Sequence, residues 1–256
     1  YANHRRSRPR PGLQATGGRL FLVSVDGKLA GALSFRLGVL TREPIGGVTP
    51  FASMLRASQA NSRPQPESAA RNTGRYPLPV ETAQGLGFAA GGTRYLVPIE
   101  TPITMVGMHP AAVSRFSAEL GRLGLMAAQG GGEALPGNTS PLVPGGAVAA
   151  ALVTGDMRIA ATCTITARLG GQLFACGHWF LSYGDVAIPM AKVEIVTTVA
   201  SELNSFKIAN IGDLTGTFNH DRRSGIIGTV GPIPPMVPVD LTITHGGKDF
   251  VYHYAI

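Results

Sequence analysis

Gly177-His178-Trp179-Phe180 is the stretch whose residue types best fit chemistry. A histidine comes after an apolar strand, beside a glycine, in a turn that leads on to Ser182, Tyr183, Gly184 and Asp185. Imidazole titrates near neutrality, so His178 at the mouth of a β barrel is placed as a general base would be, with Asp185 as the candidate to orient it. A structural histidine with satisfied hydrogen bonds fits the same residues.

Cys163 and Cys176 lie on the two arms of a hairpin that turns at Leu169-Gly170-Gly171. A four-residue loop from Arg168 to Gly171 pairs Ala167 with Gln172 and puts Cys163 directly opposite Cys176, within bridging reach. A three-residue loop moves the register by one and sends the two thiols to opposite faces. A disulfide formed in an oxidising compartment and a pair of small buried thiols are both compatible with this spacing.

Other chemistries find little support. The six histidines and two cysteines show neither Cys-x-x-Cys nor His-Glu-x-x-His spacing, so no metal is expected. The glycine runs at 130–132 and 145–146 are not set between a strand and a helix with a following Lys-Ser/Thr, so no phosphate cradle is expected either. Nothing calls for a cofactor.

The elements that must position His178 are mostly strands. Arg19 to Val25 and Lys28 to Phe35 are apolar runs joined by Asp26-Gly27, the strongest short hairpin signal. Glu43 to Pro50 reads as a turn-rich strand end, and Phe51 to Leu55 as a short apolar turn. Strand character returns at Tyr95 to Ile99 and Ile103 to Val106. One helix is expected over about 110–128, with Pro110 at its start and Val113, Phe116, Leu120 and Leu123 on one face. From 147 onward strand and turn repeat, with clear alternation in Val239 to Thr244 and Phe250 to Tyr254. The chain divides into a basic arm (1–16), a first β part (17–56), an irregular insert carrying the helix (57–146) and a second β part (147–256) that holds the Gly-His hairpin. Within the insert, residues 57–93 are expected to lack regular structure, lying ordered only where another chain covers them, because they hold few apolar groups.

Composition agrees with a mainly β chain. Its 256 residues are 44% hydrophobic, which excludes wholesale disorder, and the 34 Gly and 19 Pro show no collagen period. No apolar run reaches the roughly 18 residues of a membrane span. No signal peptide is visible and the chain opens without methionine, as a processed or partial product would. The net charge is +7, with Arg5, Arg6, Arg8 and Arg10 concentrated in the arm. That arm is a candidate for membrane-surface contact. No aromatics interleave with it, so nucleic-acid binding is not expected.

The segment from Ile159 to His178 resembles the histidine-bearing hairpin of the SpoIVB-type serine peptidases, bacterial envelope or secreted proteins. Gly184-Asp185, Ser205 to Ile208, Gly212-Asp213, Gly216 to Phe218, Asp221-Arg222 and Ser224 to Gly228 extend the likeness. Val25 to Leu33 and Glu43 to Pro50 resemble the stretch immediately C-terminal to the nucleophile in that family. The resemblance spans roughly 17–56 and 142–256, leaving the middle insert outside it. It implies a trypsin-like, barrel-type β domain with one helix and a long irregular insert, a periplasmic or secreted location, and His178 as the base. It also places the nucleophile at Arg19, where the family has Ser, and the arm holds no Asp or Glu to complete a triad. Arginine cannot attack a carbonyl. Two functions are therefore in view: a non-catalytic peptidase-like subunit that binds other proteins of a larger assembly, and an active serine endopeptidase that uses His178 with another nucleophile, for which Ser182 and Ser224 are candidates.

Overall fold

A computed structural model describes residues 22–37, 46–59, 75–86, 88, 94–130, 132–135, 137, 139–199 and 205–256. Strands dominate it. The first hairpin forms where its turn chemistry puts it. β1 (Leu22–Val25) and β2 (Lys28–Leu37) pair antiparallel with Val25 opposite Lys28, leaving a two-residue loop. Both loop residues are left-handed, Asp26 at φ 50° and Gly27 at φ 75°, as a type I′ turn requires.

β2 is the centre of a five-stranded sheet. Ala32 pairs with both Leu22 of β1 and Thr49 of β3 (Gly46–Pro50), so β1 and β3 flank it on opposite edges. The chain then enters α1 (Phe51–Gln59), a helix where the sequence suggests only a turn. Its Met54 is fully buried against Ala167, Phe174 and Ile227, and the Phe51 ring meets Phe174 edge-on at 5.3 Å. Packing, not intrinsic propensity, holds so short a helix.

The expectation that residues 57–93 carry no regular structure is corrected where they are described. β4 (Tyr76–Pro77) pairs with β5 (Tyr95–Pro98), and α2 (Val80–Gly85) lies between them in sequence. At β4 the covering comes from this chain itself, whereas α2 buries no residue. Tyr76 stacks edge-on against Phe35 at 5.6 Å, and the Arg223 guanidinium lies 5.7 Å from the Tyr76 ring.

α3 (Pro110–Arg122) is the predicted helix, but shorter. His109 caps it by accepting from the Ala111 amide, with Pro110 in the first turn. Gly124, at φ 76°, ends it. Leu125 to Gln129 then form a strand, β7, parallel to β6 (Thr101–Val106). The sequence pattern merges β7 into the helix because its apolar residues continue the helical face. Only part of that face is core: Val113 and Leu120 pack inward, whereas Phe116 and Leu123 are exposed.

The second β part builds the main body from β8 (Ala147–Gly155), β9 (Arg158–Leu169), β10 (Gln172–Ala175), β11 (Gly184–Val199), β12 (Phe206–Arg222) and β13 (Gly225–Val230). Hydrogen-bonded pairing runs β8–β11–β12–β13–β10–β9, and β9 pairs back onto β8, so the six strands form a ring. One apolar cluster draws Val148, Ile165, Leu173, Met190, Phe218 and Ile226 from these six strands, which makes it the ring's interior. Alternate residues of β8, namely Ala147, Ala149 and Ala151, turn to the other face. There they meet Ala191, Val193, Ala209 and Ile211 of the long β11–β12 arm. The chain ends in a hairpin of β14 (Pro238–His245) and β15 (Lys248–Ala255), attached to β8 through Tyr254 and Ala255. Its Leu241, Ile243 and Phe250 are exposed.

The cysteines are bridged, with Cα atoms 5.0 Å apart. The route differs from the four-residue loop the sequence suggests. Leu169 pairs with Gln172 across a two-residue Gly170-Gly171 turn, and a bulge before Ala175 then shifts the register by one. Cys176, in left-handed backbone at φ 69°, leaves the strand toward Cys163. Because the bridge closes a 13-residue separation, reducing it is expected to cost about 3 kcal/mol of stability. Urea unfolding with and without reductant measures this as a lower midpoint in the reduced protein.

Candidate functional site

His178 sits on a turn that two residues force. After β10 the backbone passes through Cys176 and then Gly177, both left-handed. A Cβ on Gly177 would fall 2.5 Å from the Ala32 Cβ and 2.9 Å from the Ser34 hydroxyl, so only glycine lets the turn approach β2 this closely. Ser34, fully buried, donates to the Gly177 carbonyl at 2.7 Å and lies 2.7 Å from the Thr49 hydroxyl. These bonds tie the His178 turn to the five-stranded sheet.

The imidazole itself is 8% exposed, and its Nδ1 lies 2.9 Å from the Trp179 carbonyl. A carbonyl only accepts, so Nδ1 carries a hydrogen. Burial pushes its pKa below the ordinary 6.5, against a smaller upward pull from the Trp179 bond.

Asp221 of β12 holds the loop after His178. Its carboxylate accepts from the amides of Phe180 and Leu181, each at 2.6 Å, and of Tyr183 at 3.4 Å, with Ser182 adding a fourth. Desolvation raises its pKa, opposed by those four amide bonds. Sequence reasoning assigns Asp221 no role. A buried acid between the apolar positions of a strand is the available signal, since charges are seldom buried without partners.

Asp185 is corrected. It faces His220 across the β11–β12 ladder, 2.9 Å from His220 Nδ1 and 2.8 Å from an Arg222 guanidinium nitrogen. Placing it on β11 commits its carboxylate to these cross-strand partners instead of to His178. Ser182 lies in the loop held by Asp221, with φ 60°, and Ser224 lies in the turn between β12 and β13. The imidazole hydrogen goes to a backbone carbonyl, not to either hydroxyl. Arg19, together with Arg5, Arg6, Arg8 and Arg10, lies outside the described residues.

His178 separates two spaces. A cleft of about 140 Å³ is lined by Arg36, Glu100, Gly124, His178 and Trp179. A smaller cavity of about 30 Å³ is bounded by the disulfide, Thr162, Thr164, His178 and Lys207. Lys207, 6% exposed, donates from Nζ to the Thr164 hydroxyl at 3.2 Å, and burial lowers its pKa. In the sequence, Lys207 stands out only as part of the SpoIVB-like segment. Its alternation with Ala209 and Ile211, both on the buried face of β12, is the sign that it points inward. Among the described residues no three His, Cys, Asp or Glu side chains converge as a metal site would need.

Comparison with known proteins found no matching family model, no matching curated protein and no matching solved structure.

Two measurements check the site. Replacing Ser34 by Ala strands the Gly177 carbonyl and the Thr49 hydroxyl in the interior, with an expected loss of about 1–3 kcal/mol in chemical unfolding. The second concerns protonation. Folded His178 binds a proton less readily than the unfolded chain does. Its contribution is therefore intact above pH 6.5 and is lost as pH falls toward the depressed folded value. Comparing unfolding of wild type and His178→Gln across this range should show wild type losing more stability than the variant on acidification. The difference removes the opposite slope of His253, whose pKa Asp240 raises.

Proposed function

We propose that the chain is a non-catalytic, SpoIVB-peptidase-like domain that serves as a structural or protein-binding subunit of a bacterial envelope assembly. The observation carrying this reading is the state of His178. The imidazole is buried, and its Nδ1 hydrogen goes to the Trp179 carbonyl, where a catalytic triad would place a carboxylate. A working base instead faces a nucleophile, with a carboxylate oriented behind it. The sequence adds Arg19 at the position where the resemblance places the nucleophile.

Two further features support the setting. The Cys163–Cys176 bridge is compatible with an extracytoplasmic location. Among the described residues no helix is long and apolar enough to cross a membrane. Two-stranded ribbons are marginal on their own, and β14–β15 keeps apolar side chains exposed, as a subunit of a larger assembly does.

A fluorophosphonate probe, which reacts with activated serines, tests the reading. Native protein should show no labelling above a heat-denatured control. Labelling of the native protein that disappears in His178→Ala would replace this conclusion with an active serine endopeptidase that uses His178 as general base.

A further inference from the structure

A lysine more than nine-tenths buried normally meets a carboxylate. Among the described residues Lys207 meets a threonine hydroxyl instead. Its Nζ has room for further partners, and the small cavity beside it holds Thr162, whose buried Oγ1 has no hydrogen-bond partner among the described residues. The space, about 30 Å³, is enough for a molecule of a few atoms. The titratable side chains on its walls are Lys207, His178 and Glu100.

From this juxtaposition we infer that Lys207 is a carbon dioxide site, at which its amine forms a carbamate held by the hydroxyls of Thr162 and Thr164. The Nζ lone pair bonds to the carbon of CO2, and one C=O π pair moves onto oxygen. The nitrogen then loses a proton, which passes to water. No oxidant, reductant or second reactant is needed.

Three requirements of the reaction are met by this geometry. The amine must be unprotonated, and burial favours that form. The product needs hydrogen-bond donors for its two oxygens, and two threonines line the cavity, Thr164 with its hydroxyl already beside Nζ. The reagent must fit, and CO2 is small and apolar enough to enter a largely apolar space. Among the described residues Glu100 is the one acidic wall residue, and its partial exposure lets water screen it against the new charge. The carbamate would place an anion near His178 and so favour the imidazolium.

Carbon-13 NMR of the full chain in labelled bicarbonate tests the assignment. Wild type should show a carbamate carbon near neutral pH. The signal should persist in Lys28→Met and vanish in Lys207→Met. Alkylative trapping of wild type, with peptide mass spectrometry as its readout, gives a second measurement that needs no variant to fold, and the trapped group should lie on the Lys207 peptide. A wild-type spectrum without the carbamate carbon, or trapping only on other lysines, overturns the inference.

Discussion

The turn at Cys176-Gly177 is the constraint on which the rest of the molecule's arrangement hangs. Two consecutive residues in left-handed backbone lift the chain out of β10. The disulfide pins the first residue to β9 inside the ring, and Ser34 grips the second from the other sheet. One short turn therefore fastens the six-stranded ring to the five-stranded sheet. Left-handed backbone costs a non-glycine residue about 1 kcal/mol or more, and it persists at Cys176 because both neighbours hold it there. His178 inherits its position from this lock.

The loop beyond the lock is governed by a single carboxylate. Asp221 replaces, with backbone amides, most of the hydration it gives up on burial. Four successive N–H groups directed at one anion would otherwise lack strand partners, since the chain there belongs to no ladder. This solves two desolvation problems together, that of the acid and that of the amides. It also explains why residues 180–183 trace a defined path without regular structure.

Much of the fold was legible because its local signals agree with one another. Asp26-Gly27 marks its hairpin, Pro110 its helix start, and the alternation in Val239 to Thr244 its strand. Three features were not legible, each for a physical reason. β7 was hidden because Leu125 to Ala128 continue a helical apolar face, and only the turn at Gly124 breaks it. α1 was hidden because Met54 owes its burial to Phe174 and Ile227, far along the chain. The hairpin register was hidden because a two-residue turn plus a bulge brings the cysteines together as a longer loop would. The candidate site was readable as a histidine in a turn. Its partners Ser34, Asp221 and Lys207 come from separate stretches of the chain and share no local motif with it.

The alanine face between β8 and the β11–β12 arm has a consequence of its own. Methyl groups at 147, 149, 151, 160, 191 and 209 make up most of this buried face, so the backbones approach closely there and a longer side chain has to displace its neighbours. Substitution along this seam is therefore limited by distance and not by polarity alone: serine is small enough to enter, whereas leucine, more hydrophobic than the alanine it replaces, must prise the layers apart. Small side chains also contribute little burial each, so the arm's hold depends on many contacts of nearly equal weight. A sequence drifting over time would keep this seam small even as the larger residues of the ring interior exchanged for one another.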